Sequence, residues 1–129
     1  MGDFDTALIF PSLLARAATL GAEGDWSPFH PGVSVRWLYQ TGQGGPAAAL
    51  LRYEPGAGVP RHEHLGHEHV LILQGSQSDE RGRYPCGTLV VNKPGSSHKV
   101  TSEDGCVVLI IWERGVRFLE PAVTPPGPR

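Results

Sequence analysis

The stretch GAGVPRHEHLGHEHVLILQG, residues 56–75, limits what this chain can fold into more than any other. His62 and His64 stand two apart. On a β-strand side chains alternate between faces, so both imidazoles point the same way. A short turn through Leu65 and Gly66 would bring the chain back alongside, with Glu68 opening the next strand. A further candidate, His98, lies in PGSSH. Four titratable groups facing an interior without a partner would be costly. Three imidazoles and a carboxylate converging on one point are instead a ligand set for a divalent ion. Such donors suit zinc, iron(II), manganese, nickel or copper.

The flanking sequence predicts strands. Val33 to Tyr39 alternates, with Val33, Val35 and Trp37 on one face. Residues 47–53, 59–64, 68–74, 87–92 and 106–112 read as further strands, and 117–119 as an edge strand. Residues 75–84 form a polar hairpin with Arg81-Gly82 near its tip. Trp26-Ser27-Pro28 and Pro31-Gly32 read as turns, which leaves His30 in a loop. Only residues 12–20 carry apolar residues at helical spacing, with Ser12 placed to cap the helix and Gly21 to end it. Many short strands, frequent glycine and proline and one short helix predict an all-β sandwich or barrel. Residues 1–25 are then an N-terminal extension, 26–120 the domain, and 121–129 a proline-rich tail.

Charge and length narrow the function classes. The net charge is −2 over 129 residues, with both signs interspersed, so nucleic acid is not an expected partner. No apolar run is long enough to cross a bilayer. Asp3 and Asp5 precede the apolar ALIFPSLLARAATL, where a secretory signal would carry positive charge, so a cytoplasmic location is expected. The two cysteines, Cys86 and Cys106, are expected to be free thiols there.

The spacing from Gly56 through His62-x-His64 and Glu68 to Gly75, followed by Gly87 and Pro94-Gly95-Ser96-Ser97-His98, resembles the two motifs of the cupin superfamily. The chain departs from those motifs at Lys93, where proline is usual, and at Ser102, where many members have asparagine. Trp26-x-Pro28, Pro31-Gly32-Val33-x-Val35, ALLRYEPGA at 49–57 and GSQSDERGRYPCGTLVVNKPGSSH at 75–98 resemble the ChrR-like cupins more specifically. This resemblance covers residues 26–112 and implies a double-stranded β-helix, the cupin or jelly-roll barrel, with a short N-terminal helix. It also implies one divalent metal on His62, His64, Glu68 and His98: Fe2+ or Zn2+ first, Mn2+ or Ni2+ as alternatives. Two functions follow. One is a metal-dependent dioxygenase acting on a small diketone or aryl ketone. The other is a non-catalytic zinc-binding module that senses a ligand or redox state. The N-terminal zinc-binding helical domain of a full anti-sigma factor is not expected, because the first 25 residues hold neither cysteine nor histidine.

Other residues carry weaker expectations. Arg52 and Tyr53 are neighbours on one strand, so one of them faces the interior. An inward arginine would anchor an anionic substrate, and the alternative is a solvated arginine on the outer face. Trp112 is expected to fill the core or line the pocket mouth, so Arg52, Tyr53 and Trp112 are the candidate substrate-binding residues. His67 and His69 flank Glu68 and should point away from it. A small-molecule ligand is the expected partner. A homodimer is expected too, because the strand at 68–74 is apolar on both faces and the helix needs a surface to pack on.

Overall fold

A computed structural model describes residues 7–20 and 22–120. One helix, α1 (Leu13–Leu20), precedes ten strands. The strands are β1 (Ser27–His30), β2 (Val33–Gln40), β3 (Ala47–Tyr53), β4 (Gly58–His64), β5 (Glu68–Asp79), β6 (Gly82–Pro85), β7 (Leu89–Asn92), β8 (Ser97–Thr101), β9 (Cys106–Trp112) and β10 (Val116–Phe118).

All pairings are antiparallel. One sheet runs β1-β2-β3-β9-β5-β7 and the other β6-β5-β8-β4-β10. Strand β5 belongs to both. Its first half pairs with β7 and β9, and its second half with β6 and β8. The change of sheet falls at a bulge between Ile72 and Gln74 and at Gly75, whose φ is 77°. A Cβ at Gly75 would fall on the Gly105 carbonyl oxygen, so only glycine permits both the backbone conformation and the close approach. The sheets face each other across one interior, where Val33, Leu51, Val70, Ile72, Val108 and Ile110 of the first meet Val59 and Val100 of the second.

A second apolar cluster lies outside the first sheet. Ala17 and Leu20 of α1 pack on Leu50, Leu73 and Val107. The helix therefore covers part of the outer face of β5 from within the same chain, and β5 lies between β9 and β7 as a central strand. Ser12 precedes the helix with φ 54°, and its carbonyl accepts from the Arg16 N–H at 3.0 Å. Gly21 and the tail at 121–129 lie outside the described residues.

Two strands stand where the sequence predicted turns or nothing. Residues 27–30 form β1 at the sheet edge, where Pro28 costs no internal ladder bond. Residues 97–101 form β8, whose burial alternates with His98 and Val100 inward. Both cysteines are free thiols, Cys86 exposed and Cys106 buried. Among the described residues no helix is long and apolar enough to cross a membrane.

Candidate metal centre

Three strands deliver the predicted ligands. His62 and His64 share one face of β4, and β8 pairs with β4 so that His98 stands opposite His62. Glu68, the first residue of β5, pairs with Trp112 on one side and Asn92 on the other. All four side chains are buried. The candidate ligand atoms of His62, His64 and His98 lie within 4.8 Å of one another. The three histidines are positioned to hold a metal ion.

The hydrogen bonds on the outer side of each ring set its tautomer. His62 Nδ1 is 2.7 Å from the Pro60 carbonyl oxygen, His64 Nδ1 is 3.0 Å from that of Ser96, and His98 Nδ1 is 2.9 Å from Asp79 Oδ2. A carbonyl or carboxylate oxygen only accepts, so each Nδ1 carries the proton and each Nε2 presents a lone pair. Those lone pairs converge. His62 Nε2 and His98 Nε2 stand 3.1 Å apart. His64 Nε2 is buried without a hydrogen bond; it lies 3.2 Å from Glu68 Oε1. Lone pairs facing each other at hydrogen-bond distance repel unless a cation or shared proton lies between them. This arrangement fits a divalent ion.

Burial favours the neutral, ligating form. It pushes the His62 imidazole down to about 4, against its hydrogen bond to Pro60. Burial also lowers His98, opposed by Asp79. At Glu68 burial works to raise the carboxyl, but the close approach of His64 and the neighbouring imidazoles outweighs it, and the group is held below its usual range. At Asp79 burial again raises, but Arg81, His98 and Tyr84 all hydrogen-bond the carboxylate and hold it well below the ordinary range.

A ring of supporting residues reaches the site from the hairpin. Arg81 Nη2 donates to Asp79 Oδ2 at 2.6 Å and to Asn92 Oδ1 at 2.9 Å. Asn92 Nδ2 donates in turn to Glu68 Oε1 at 3.0 Å. One guanidinium thus ties together the partners of His98 and Glu68. The sequence suggested no role for Asp79, Arg81 or Asn92; the hairpin around Arg81-Gly82 was the available signal for the first two.

Beside the three histidines the interior holds a small cavity of about 30 Å³ that opens to solvent. His62, Glu68 and His98 line one part of it, and Phe29, Leu51, Val59, Tyr53, Trp112 and Phe118 contribute much of the rest.

A sequence model of the ChrR cupin-like domain matches residues 15–114, most of the chain. The protein belongs to this cupin family. The anti-sigma-E factor ChrR of Cereibacter sphaeroides is 36 % identical over 78 residues, which are 58 % of this chain and 37 % of that protein. The matched region is therefore little more than a third of that relative. The crystal structure of Rhodobacter sphaeroides SigE in complex with the anti-sigma ChrR superposes with a TM-score of 0.63 at 26 % identity, covering 82 % of this chain and 68 % of the other. An acetylacetone dioxygenase from Acinetobacter johnsonii gives a TM-score of 0.68 at 13 % identity, covering 77 % and 76 %, a likeness of fold alone. The expected cupin jelly roll is the fold observed.

In this cupin the remaining candidates separate by strand parity. Ala47, Ala49, Leu51 and Tyr53 of β3 face the interior, and Leu50 packs outward under α1. Tyr53 therefore lines the cavity, as does Trp112. Arg52 does not: it sits on the outer face with its guanidinium over the Trp26 ring, 5.7 Å from the centroid. Arg52 is therefore an outer-face arginine and not an inward anion anchor. Burial holds the Tyr53 hydroxyl well above its ordinary pKa, so it is a neutral phenol. His67 is exposed and pairs with Glu113 at 3.1 Å, and His69 is exposed; neither joins the ligands.

Proposed function

We propose that this cupin binds one divalent ion through His62, His64, Glu68 and His98 and acts as a dioxygenase on a small diketone or aryl ketone. The observation that carries the reading is the set of three Nε2 lone pairs, each fixed by an outward Nδ1 hydrogen bond and aimed at one point beside an apolar cavity. Iron(II) held there would supply Lewis-acid and redox chemistry. Around it, Asp79 orients His98, and Asn92 orients Glu68. Apolar walls from Phe29, Val59 and Phe118 would exclude bulk water from a bound carbonyl compound. Tyr53 and Trp112 would contact its body.

Metal analysis of protein purified without added metal, followed by oxygen uptake with acetylacetone after iron(II) loading, tests this. Iron in the purified protein and uptake that depends on both iron and diketone are expected. Stoichiometric zinc and no uptake under any loading would sink the enzyme reading. That outcome would favour the second reading, a non-catalytic zinc module sensing a ligand or redox state, which draws support from the ChrR relative being an anti-sigma factor.

The proposal includes a homodimer. Exposed Leu89, Val91 and Ile111 lie on strands flanking β5 in the first sheet, and Val91 and Ile111 pair in register with His69 from either side. Such an apolar face suits a second copy. Light scattering at tens of micromolar, roughly where an interface of standard size is populated, should report a dimer. A monomer there would count against it.

A further inference from the structure

His30 carries a role that its sequence context hides. It ends β1, is 6 % exposed, and neither of its ring nitrogens has a hydrogen-bond partner. The ring lines the same cavity as the metal ligands. It stands edge-on to Phe29 at 4.8 Å between centroids and 5.4 Å from Phe118, whose ring is in turn 5.9 Å from His62. Its ring neighbours are thus apolar. A phenylalanine or leucine could pack among them without leaving a donor and an acceptor unpaired.

A neutral imidazole offers one N–H and one lone pair. Burying both without a partner is costly, and such groups in a folded protein call for a cause. Burial also depresses the His30 pKa, which keeps the ring neutral and able both to donate and to accept. The polar groups of the cavity are then divided. His62, Glu68 and His98 cluster at the metal end, Tyr53 and Gln77 stand on the wall, and His30 sits apart among aromatics, with Leu51, Val59 and Trp112 completing an apolar lining.

We infer that His30 is a second polar anchor of the cavity, hydrogen-bonding an oxygen of a small, otherwise apolar carbonyl ligand that lies against the metal centre. The inference rests on the proposed carbonyl-binding function and adds a specificity residue to it. The ligand class follows from the lining: one or two oxygens, a compact apolar body and no net charge that the wall would have to neutralise.

The test uses the zinc-loaded protein, in which binding is read without turnover. Wild type, His30→Phe and His30→Gln are titrated with acetylacetone by calorimetry, with metal content measured on each. His30→Phe should bind about tenfold more weakly, the scale of one lost hydrogen bond in a dry site, while keeping its zinc. His30→Gln should recover part of the loss. Equal affinity for wild type and a metal-loaded His30→Phe would overturn the role of His30 and leave the carbonyl-binding function standing. No binding to wild type would overturn both. Should His30→Phe fail to fold, the ring-nitrogen shifts of ¹⁵N-labelled wild type decide: acetylacetone should move those of His30, and unmoved shifts with ligand bound would overturn the inference.

Discussion

Replacing His62, His64 or His98 by alanine, one at a time, should strip the purified protein of most of its metal. Each substitution removes a donor whose lone pair is already aimed, and leaves two imidazoles and the Glu68 carboxylate, a set that closes a site poorly. Asp79→Asn should do less. The amide oxygen can still accept from His98 Nδ1, but the charge that holds Arg81 and Tyr84 around it is gone. A supporting residue of this kind typically contributes about 10–100-fold in metal affinity. The exposed His67 and His69 serve as controls, and their alanine variants should retain full metal. Metal content by mass spectrometry, with affinity from competition against a chelator, checks the order. Full stoichiometric metal in two of the three ligand variants would refute the assignment.

His62 and His64 were legible because their signal is local. His62 and His64 are two apart on a strand, and period-two alternation alone puts them on one face. Glu68 and His98 required motif spacing, and they arrive through pairings of β5 and β8 that no single window contains. The parity of β3 was illegible for a different reason. Ala47 to Leu51 is apolar throughout, since one face meets the barrel core and the other meets α1. Burial on both faces erases the alternation that would have assigned Tyr53 inward and Arg52 outward. The same effect left β5 readable as a central strand or as a subunit contact; it lies between β9 and β7, and α1 covers part of its outer face.

His30 was lost to its neighbours. Pro28, Pro31 and Gly32 are turn formers, and an edge strand that tolerates proline looks like a loop in sequence. Asp79 was lost to distance. In SQSDERGRY it reads as one more solvated charge, and its partner His98 lies 19 residues away. The features that escaped are those whose meaning depends on what crosses the interior.

Removing the metal should leave the protein folded but less stable. The barrel has an extensive apolar core beside the site, in which Val33, Val35, Ile72 and Val108 are buried. Metal bound only to the folded state adds about 2.7 kcal/mol when free metal is a hundredfold above its dissociation constant. For a domain of this size that is roughly 10 °C in melting temperature. Acid should act in the same direction. His62 titrates near 4 in the folded chain against 6.5 for a free side chain, so between those values the unfolded state binds more protons. Stability therefore falls as pH drops through that window, and His98, shifted the same way, adds to the fall. Glu68 and Asp79 are held below their ordinary values, so their contribution is intact above about 4.5 and is lost at lower pH. Protons also compete with metal for Nε2, so the holo protein should lose more stability than the apo protein over the histidine range. Thermal melts of verified apo and holo protein from pH 7.5 to 4 would show two curves that converge as acid releases the ion. Coincident curves at neutral pH would mean that metal and fold are uncoupled, and that the four side chains do not form one site.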